Sequence, residues 1–188
     1  MKIPVEISVR HLHLSEKDFE KLYGKKHFST PLKKLSQPGE FSSKRTATLI
    51  HGKKQIEDVR VIGPFRKESQ IELALTDVYD LDLKPIPQIH ISGNHKGAPK
   101  IIVKSKKAQL KIPVIIAQRH LHCSKENAKK LKLKNNQKIS IRVEGKRKLT
   151  FHNVAVRISS NYKLAMHIDT DEANAADIRS KTFGKIVR

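Results

Sequence analysis

A duplicated stretch of sequence constrains the fold of this chain more than any other feature. Arg10-His11-Leu12-His13 returns as Arg119-His120-Leu121-His122. The flanks repeat as well, because Lys-Ile-Pro-Val precedes both copies at the same distance and a serine follows each copy, Ser15 and Ser124. The repeat predicts two similar structural units.

The repeated His-x-His pair has the spacing of a metal site. On an extended strand, side chains alternate between faces, so both imidazoles of a pair lie on one face. Two neutral imidazoles can hold one zinc-like ion at about 2.0–2.1 Å each. A single pair is weak evidence, since surface histidines are common, but recurrence together with the flanks favours metal binding. Two such pairs predict two metal ions.

Length and composition indicate the domain size and the cellular compartment to expect for this protein. The 188 residues are enough for one large domain or two small ones, and a single cysteine, Cys123, excludes an internal disulfide and fits a reducing compartment. Met1 leads straight into a strand pattern rather than a signal peptide, and no apolar run approaches the ~20 residues of a membrane helix. We therefore expect a cytoplasmic protein without a membrane partner.

The net charge of +21 predicts affinity for polyanions, either nucleic acid or smaller phosphate-rich ligands. The lysines are scattered as doublets, and no RNP-like pattern or zinc-finger spacing accompanies them. Aromatic residues, at 5% and without tryptophan, offer few platforms for stacking bases. The charge leaves nucleic acid open as a partner but does not identify a function.

Short patterned runs dominate the chain between turn signals. Alternation predicts strands over 4–9, 45–50, 55–62, 70–75, 101–103, 108–110, 138–143, 149–157 and 161–168. Capping residues predict short helices over 16–23, 76–81, 125–131 and 170–178, and 84–99 is expected to be an irregular connection. Many short strands with stubby helices are typical of a β-barrel or sandwich with helical caps.

Four polar or reactive residues have a structural interpretation that competes with a functional one. Gln37-Pro38-Gly39 is typical of a surface turn. Asp169 and Asp171 fit helix capping better than metal binding. Glu72 alternates with Ile71 and Leu73, so it would lie on an outer, solvated strand face unless it has a partner distant in sequence.

Five motifs, in order from residue 2 to about 178, resemble the PduL-type phosphate acyltransferases. They are Arg10-His11-Leu12-His13-Leu14-Ser15; Pro31-Leu32-Lys33 with Ser36-Gln37-Pro38-Gly39-Glu40-Phe41; Gly63-Pro64 through Arg66 to Gln70-Ile71-Glu72; Arg119-His120-Leu121-His122; and Met166-His167-Ile168-Asp169-Thr170-Asp171-Glu172-Ala173-Asn174. The resemblance implies a mainly β fold of two β-barrels capped by short α-helices, with the active site between them. It places residues 1–9 and 118–188 in one barrel and 10–117 in the other, with a lid segment around 24–44.

The same resemblance implies the residues of the site. One metal ion, most simply zinc, would be held by His11, His13 and Glu72, and a second by His120, His122 and His167. Arg66 would bind phosphate as the catalytic arginine. Coenzyme A or phosphate would also contact Ser8, Lys33, Gln37, Arg60 and Asn174.

The implied activity is the reversible transfer of an acetyl or propanoyl group between coenzyme A and inorganic phosphate. Two alternatives stay open: a metal-dependent hydrolase of acyl-CoA or acyl phosphate, in which hydroxide replaces phosphate, and a basic nucleic-acid-binding protein with structural metals. Microcompartment-associated relatives carry an N-terminal extension, whereas here the matching core begins at residue 2, which predicts a free cytoplasmic enzyme. A homodimer is compatible with the sequence. Cys123 is expected to be a small apolar filler.

Overall fold

The computed structural model describes residues 1–25, 27–28, 31–179 and 181–187. These residues form two compact units, 1–9 with 118–188 (unit 1) and 10–117 (unit 2). The strands are β1 (Ile3–Ile7), β2 (His11–His13), β3 (Lys33–Lys34), β4 (Phe41–His51), β5 (Lys54–Gly63), β6 (Gln70–Leu73), β7 (Ile89–His90), β8 (Lys100–Lys104), β9 (Gln109–Ala117), β10 (His120–Cys123), β11 (Lys138–Val143), β12 (Leu149–Ile158), β13 (Ala165–Ile168) and β14 (Thr182–Val187). The helices are α1 (Glu16–Tyr23), α2 (Leu75–Asp80), α3 (Lys125–Leu131) and α4 (Thr170–Ala175).

Unit 1 is a closed barrel with strand order β1-β13-β10-β12-β11-β14. The His-x-His strand, β10, pairs parallel with β12 and antiparallel with β13. β13 in turn pairs parallel with β1, and β14 closes the ring by pairing antiparallel with both β1 and β11. Closure removes the free sheet edges that an open sheet would leave.

Unit 2 closes in the same way, with strand order β4-β5-β2-β6-β9-β8 and a final pairing of β8 with β4. Its His-x-His strand, β2, pairs parallel with β5 and antiparallel with β6, and β6 pairs parallel with β9. The strands β3 and β7 attach to β4 and β9. The prediction of a mainly β fold with two barrels and short helices is confirmed.

The internal repeat maps onto these identical pairings. β1 of unit 1 and β9 of unit 2 carry the two Ile-Pro-Val stretches, and β2 and β10 carry the two His-Leu-His stretches. Each repeat therefore places its first strand in one unit and its histidine strand in the other. The central leucines, Leu12 and Leu121, are fully buried in the two hydrophobic cores, which anchors each histidine strand.

The first repeat helix confirms the capping pattern expected for it. Ser15 Oγ accepts a hydrogen bond from the Asp18 backbone N–H at 3.2 Å, and Gly24 ends α1 with a φ of 66°. Ser124 caps α3 in the same manner through the Asn127 N–H at 3.1 Å. In the part of the chain that the structure describes, no helix combines the length and apolarity needed to cross a bilayer.

Several predicted boundaries were wrong. The first strand ends at Ile7 rather than residue 9, the strand predicted over 161–168 begins at Ala165, and the last helix ends at Ala175 rather than 178. The irregular connection over 84–99 contains the two-residue strand β7. β14 was not predicted, since its apolar Phe183 and Val187 are exposed, its buried position is a glycine, Gly184, and Gly184 and Lys185 weaken the strand pattern. The lid predicted around 24–44 includes residues 26, 29 and 30, which lie outside the described residues.

Candidate metal and phosphate site

A three-donor cluster forms in unit 2 where β2 and β6 pair. His11 and Glu72 are register partners on these antiparallel strands, and His13 follows two residues along β2 on the same face. The Nε2 atoms of His11 and His13 lie 3.1 Å apart. Glu72 Oε2 lies 3.7 Å from His11 Nε2, and Glu72 Oε1 lies 3.7 Å from His13 Nε2. Among the described residues, this is the only group of three His, Cys, Asp or Glu side chains whose ligand atoms lie within 4.8 Å of one another.

The spacing fits a single ion. Two tetrahedral ligands that each lie 2.0–2.1 Å from one zinc ion are about 3.3 Å apart. The observed separations of 3.1 and 3.7 Å lie on either side of that value. The cluster is also enclosed, since 4% of His13 and 5% of Glu72 are exposed. These residues can therefore hold a metal ion.

Burial keeps His13 in the form that binds metals. Removal from water, with smaller contributions from His11 and Arg66, lowers the pKa of His13 to about 3, and Glu72 opposes this change. The imidazole is consequently neutral over the whole physiological range, and a neutral ring offers a lone pair to a cation.

Gln70 orients the carboxylate of this cluster. Its Nε2 donates to Glu72 Oε1 at 2.5 Å and to Ser92 Oγ at 2.8 Å, while its Oε1 accepts from the Gly93 N–H at 2.8 Å. Because a backbone N–H only donates, the Gly93 contact fixes which end of the amide faces Glu72. Sequence alternation places Gln70 and Glu72 on one face of β6 but does not reveal this contact.

Arg66 lies close enough to the cluster for its charge to lower the pKa of His13. Its backbone N–H donates to Leu14 O at 2.9 Å, which ties it to the chain just after the His-x-His strand. Its Nη2 donates to Glu40 Oε1 at 2.7 Å, an ion pair that sequence analysis did not predict. A guanidinium has five N–H donors, so this contact uses only part of its capacity.

The other unit 2 candidates are Arg60, Lys33 and Gln37. Arg60 is the register partner of His11 on β5 and donates to Ser43 O at 3.4 Å. Lys33 is exposed on β3. The turn over 37–39 was predicted to lie on the surface, and Pro38 and Gly39 are exposed as expected. The prediction was wrong for Gln37, because only 3% of this residue is exposed.

Unit 1 gathers three histidines at the corresponding place. His120 on β10 is the register partner of His167 on β13, and the ring centroids of His120, His122 and His167 lie 4.6–5.2 Å apart. His120 Nδ1 lies 2.9 Å from Gln118 O, and since a carbonyl only accepts, Nδ1 carries the proton and the lone pair of the ring is on Nε2. Tyr162 stacks on His122 with centroids 4.1 Å apart.

Ser8 and Asn174 also belong to unit 1. The Ser8 N–H donates at 2.7 Å to the O atom of Ile168, the last residue of the strand that carries His167, and Asn174 is exposed on α4. Asp169 acts as the N-cap of α4 and accepts from the Glu172 N–H at 2.8 Å, which confirms the capping interpretation for this residue.

The arginine of each repeated motif is tied to a helix N-terminus. Arg10 Nε lies 3.0 Å from Asp77 Oδ1, and Asp77 Oδ2 accepts from the Ala74 N–H. In unit 1, Arg119 Nε lies 2.5 Å from Glu172 Oε1, and Glu172 Oε2 accepts from the Asp169 N–H. The N-cap residues of these two helices, Ala74 and Asp169, lie two residues after Glu72 and His167. Each arginine therefore ties the strand that carries Glu72 or His167 to the His-x-His strand.

One of the two barrels carries a buried His-His-Glu cluster with an arginine nearby, which defines the class: a mainly β protein with a group of side chains that could hold a metal ion. The profile of the phosphate propanoyltransferases matches residues 4–179. The chain belongs to that family, and it is a phosphate acyltransferase.

Curated relatives match almost the whole chain. A phosphate propanoyltransferase of Sebaldella termitidis is 42% identical over 98% of this chain and 87% of its own length. That of Salmonella typhimurium is 44% identical, covering 93% and 83%, and that of Thermotoga maritima is 41% identical, covering 98% and 89%. The resemblance inferred from the five motifs is confirmed.

Proposed function

We propose that this enzyme transfers a short acyl group, acetyl or propanoyl, reversibly between coenzyme A and inorganic phosphate. The products are acyl phosphate and free coenzyme A, or the reverse. Two divalent ions of the zinc class take part, one bound by His11, His13 and Glu72 and one by His120, His122 and His167. The observation that carries the proposal is the buried His-His-Glu cluster with the Arg66 charge acting on it.

Metal binding by unit 2 rests on properties of the chain's own side chains. His13 is neutral, and Glu72 adds a carboxylate to the two imidazoles of the cluster. Three protein donors would hold such an ion and would leave room for substrate to bind it, as catalytic sites require. A zinc-class ion in such a site supplies Lewis-acid chemistry, polarising an acyl oxygen or favouring the thiolate of coenzyme A.

Arg66 binds and orients phosphate in this proposal. A guanidinium presents paired N–H donors that match two phosphate oxygens. Glu40 Oε1 accepts from Nη2 at 2.7 Å, a contact with one of the five N–H donors of the guanidinium. Coenzyme A is then contacted by Ser8, Lys33, Gln37, Arg60 and Asn174, of which Arg60 lies directly beside His11 in the sheet register.

An assay with and without phosphate tests the function. Purified protein is mixed with acetyl-, propanoyl- or butanoyl-CoA, and both free thiol and acyl phosphate are measured. We expect thiol release that depends on phosphate and is matched by acyl phosphate, in a sample that contains about two divalent ions per chain. Thiol release that is independent of phosphate and yields the free acid would identify a hydrolase instead.

A further inference from the structure

A carboxylate that belongs to neither expected ligand set lies beside His167, one of the three histidines of unit 1. Glu6 on β1 is the register partner of His167 on the parallel strand β13, so the two side chains leave the same face of the barrel wall. Glu6 Oε2 lies 3.7 Å from His167 Nε2. That is the same separation as between the Glu72 carboxylate and each imidazole of the unit 2 cluster.

The equivalent position in unit 2 has no charge. There Glu72 on β6 is the register partner of Ile115 on β9, which is fully buried. The row of side chains across unit 2 thus reads His11, Glu72, Ile115, and across unit 1 it reads His120, His167, Glu6. Each row contains one carboxylate, which lies one strand further along in unit 1.

The Glu6 carboxylate would offset part of the charge of a cation bound by the unit 1 histidines. Three neutral imidazoles leave the full double charge of a divalent ion uncompensated, whereas unit 2 offsets part of that charge with Glu72. The net charge of +21 adds to the repulsion that a cation meets in this chain. The Glu6 side chain is about one-third exposed, at 34%, so it is partly withdrawn from water beside His167.

We propose that Glu6 supplies the carboxylate of a four-residue cation site with His120, His122 and His167. The site suits borderline divalent ions such as Zn²⁺ or Co²⁺, which accept imidazole and carboxylate ligands. This inference rests on the second metal site of the proposed function. It adds a residue whose charge sets how tightly that site retains its ion.

Cobalt binding to the full-length, metal-free chain tests the role of Glu6. A His13→Ala background disables the unit 2 cluster, so that visible absorption of Co²⁺ reports on unit 1 alone. Glu6→Gln, which keeps the shape and removes the charge, should raise the Kd for Co²⁺ at least tenfold, and Glu6→Asp should recover part of the loss. Glu144→Gln, which removes an exposed carboxylate that pairs with Arg142 in the same unit, should leave Kd unchanged.

Further variants separate this inference from the function it rests on. If His167→Ala abolishes Co²⁺ binding while Glu6→Gln leaves the Kd unchanged, the second metal site stands and Glu6 is not part of it. If Co²⁺ binding survives the joint replacement of His120 and His122 by Ala, the second site of the proposed function fails and the inference fails with it. Thermal unfolding of each metal-free variant shows that lost binding is not lost folding.

Discussion

Glu72 and His167 occupy the same position in two barrels that pair their strands identically. Each is the register partner of the first histidine in its His-Leu-His stretch, Glu72 of His11 and His167 of His120. The repeated part of the sequence supplies two imidazoles to each cluster, and this one position makes the clusters chemically different. We therefore expect the two clusters to respond differently to loss of their third donor.

Glu72→Gln should weaken the unit 2 metal site and collapse turnover. The amide keeps the size of the side chain but removes its formal charge from a buried cluster. Metal content measured on the purified variant should fall by about one ion per chain, and excess zinc in the assay should restore part of the activity. An ordinary surface glutamate would change stability by no more than about 0.5 kcal/mol. Wild-type turnover at full metal content would remove Glu72 from the site.

Arg66→Ala should impair the use of phosphate without changing metal content. Loss of a charge-assisted bidentate contact costs on the order of 2–4 kcal/mol, seen as a higher KM for phosphate, a lower kcat, or both. Arg66→Lys should recover only part of the loss, because an ammonium lacks the planar fork. Lys67→Ala removes the neighbouring exposed charge and serves as the control. Unchanged phosphate kinetics in Arg66→Ala would place phosphate elsewhere.

Glu40→Gln should lower the KM for phosphate. The Glu40 carboxylate and a phosphate dianion compete for the same guanidinium, and like charges held near one another repel. We expect a severalfold decrease in the KM for phosphate with little change in the KM for acyl-CoA. Glu57→Gln removes another carboxylate from unit 2, one that accepts from Gln55, and should have no effect. A raised phosphate KM in Glu40→Gln would show instead that Glu40 mainly positions Arg66.

The sequence predicted the parts of the fold that depend on local patterns. Ser15 and Gly24 bound α1 as expected, and the turn signals between short strands indicated a barrel. Strand ends and β14 were missed because barrel closure stabilises them: β14 pairs with β1 and β11, which are distant in sequence. Such pairing overrides a weak local strand pattern.

The site was harder to predict because it depends on strand register. Alternation alone suggested that Glu72 faces solvent, whereas all four residues of β6 are buried. Both faces of that strand are covered, so the usual separation into an apolar and a solvated face does not hold. Glu40 and Glu6 acquire their contacts with Arg66 and His167 only after distant segments pair, and no local signal marks them.

The stability of the metal-free protein should fall on acidification because of His13. Its folded pKa of about 3 lies below the ordinary value of 6.5, so between these pH values the unfolded chain binds a proton that the folded chain does not. The contribution to the unfolding free energy is complete above pH 6.5 and is lost towards pH 3, with a slope of at most about 1.4 kcal/mol per pH unit. Urea unfolding of chelator-treated protein between pH 7 and 4 measures this dependence. The unfolding free energy of His13→Asn should change less steeply with pH than that of the wild type. Parallel slopes would mean that His13 is not the group responsible.

Gln70→Glu should damage the unit 2 metal site although Gln70 is not itself a ligand. Glutamate can still accept from the Gly93 N–H, but it cannot donate to Glu72 and would place a second buried carboxylate against it. Two such carboxylates resist joint ionisation, so Glu72 would share a proton and bind a cation poorly. The loss of an orienting partner of this kind typically lowers metal affinity 10–100-fold, which a zinc competition titration measures. Ser92→Ala, which removes only the other acceptor of the Gln70 amide, should have a smaller effect. Equal metal affinity in Gln70→Glu and the wild type would show that Glu72 does not need this contact to act as a donor.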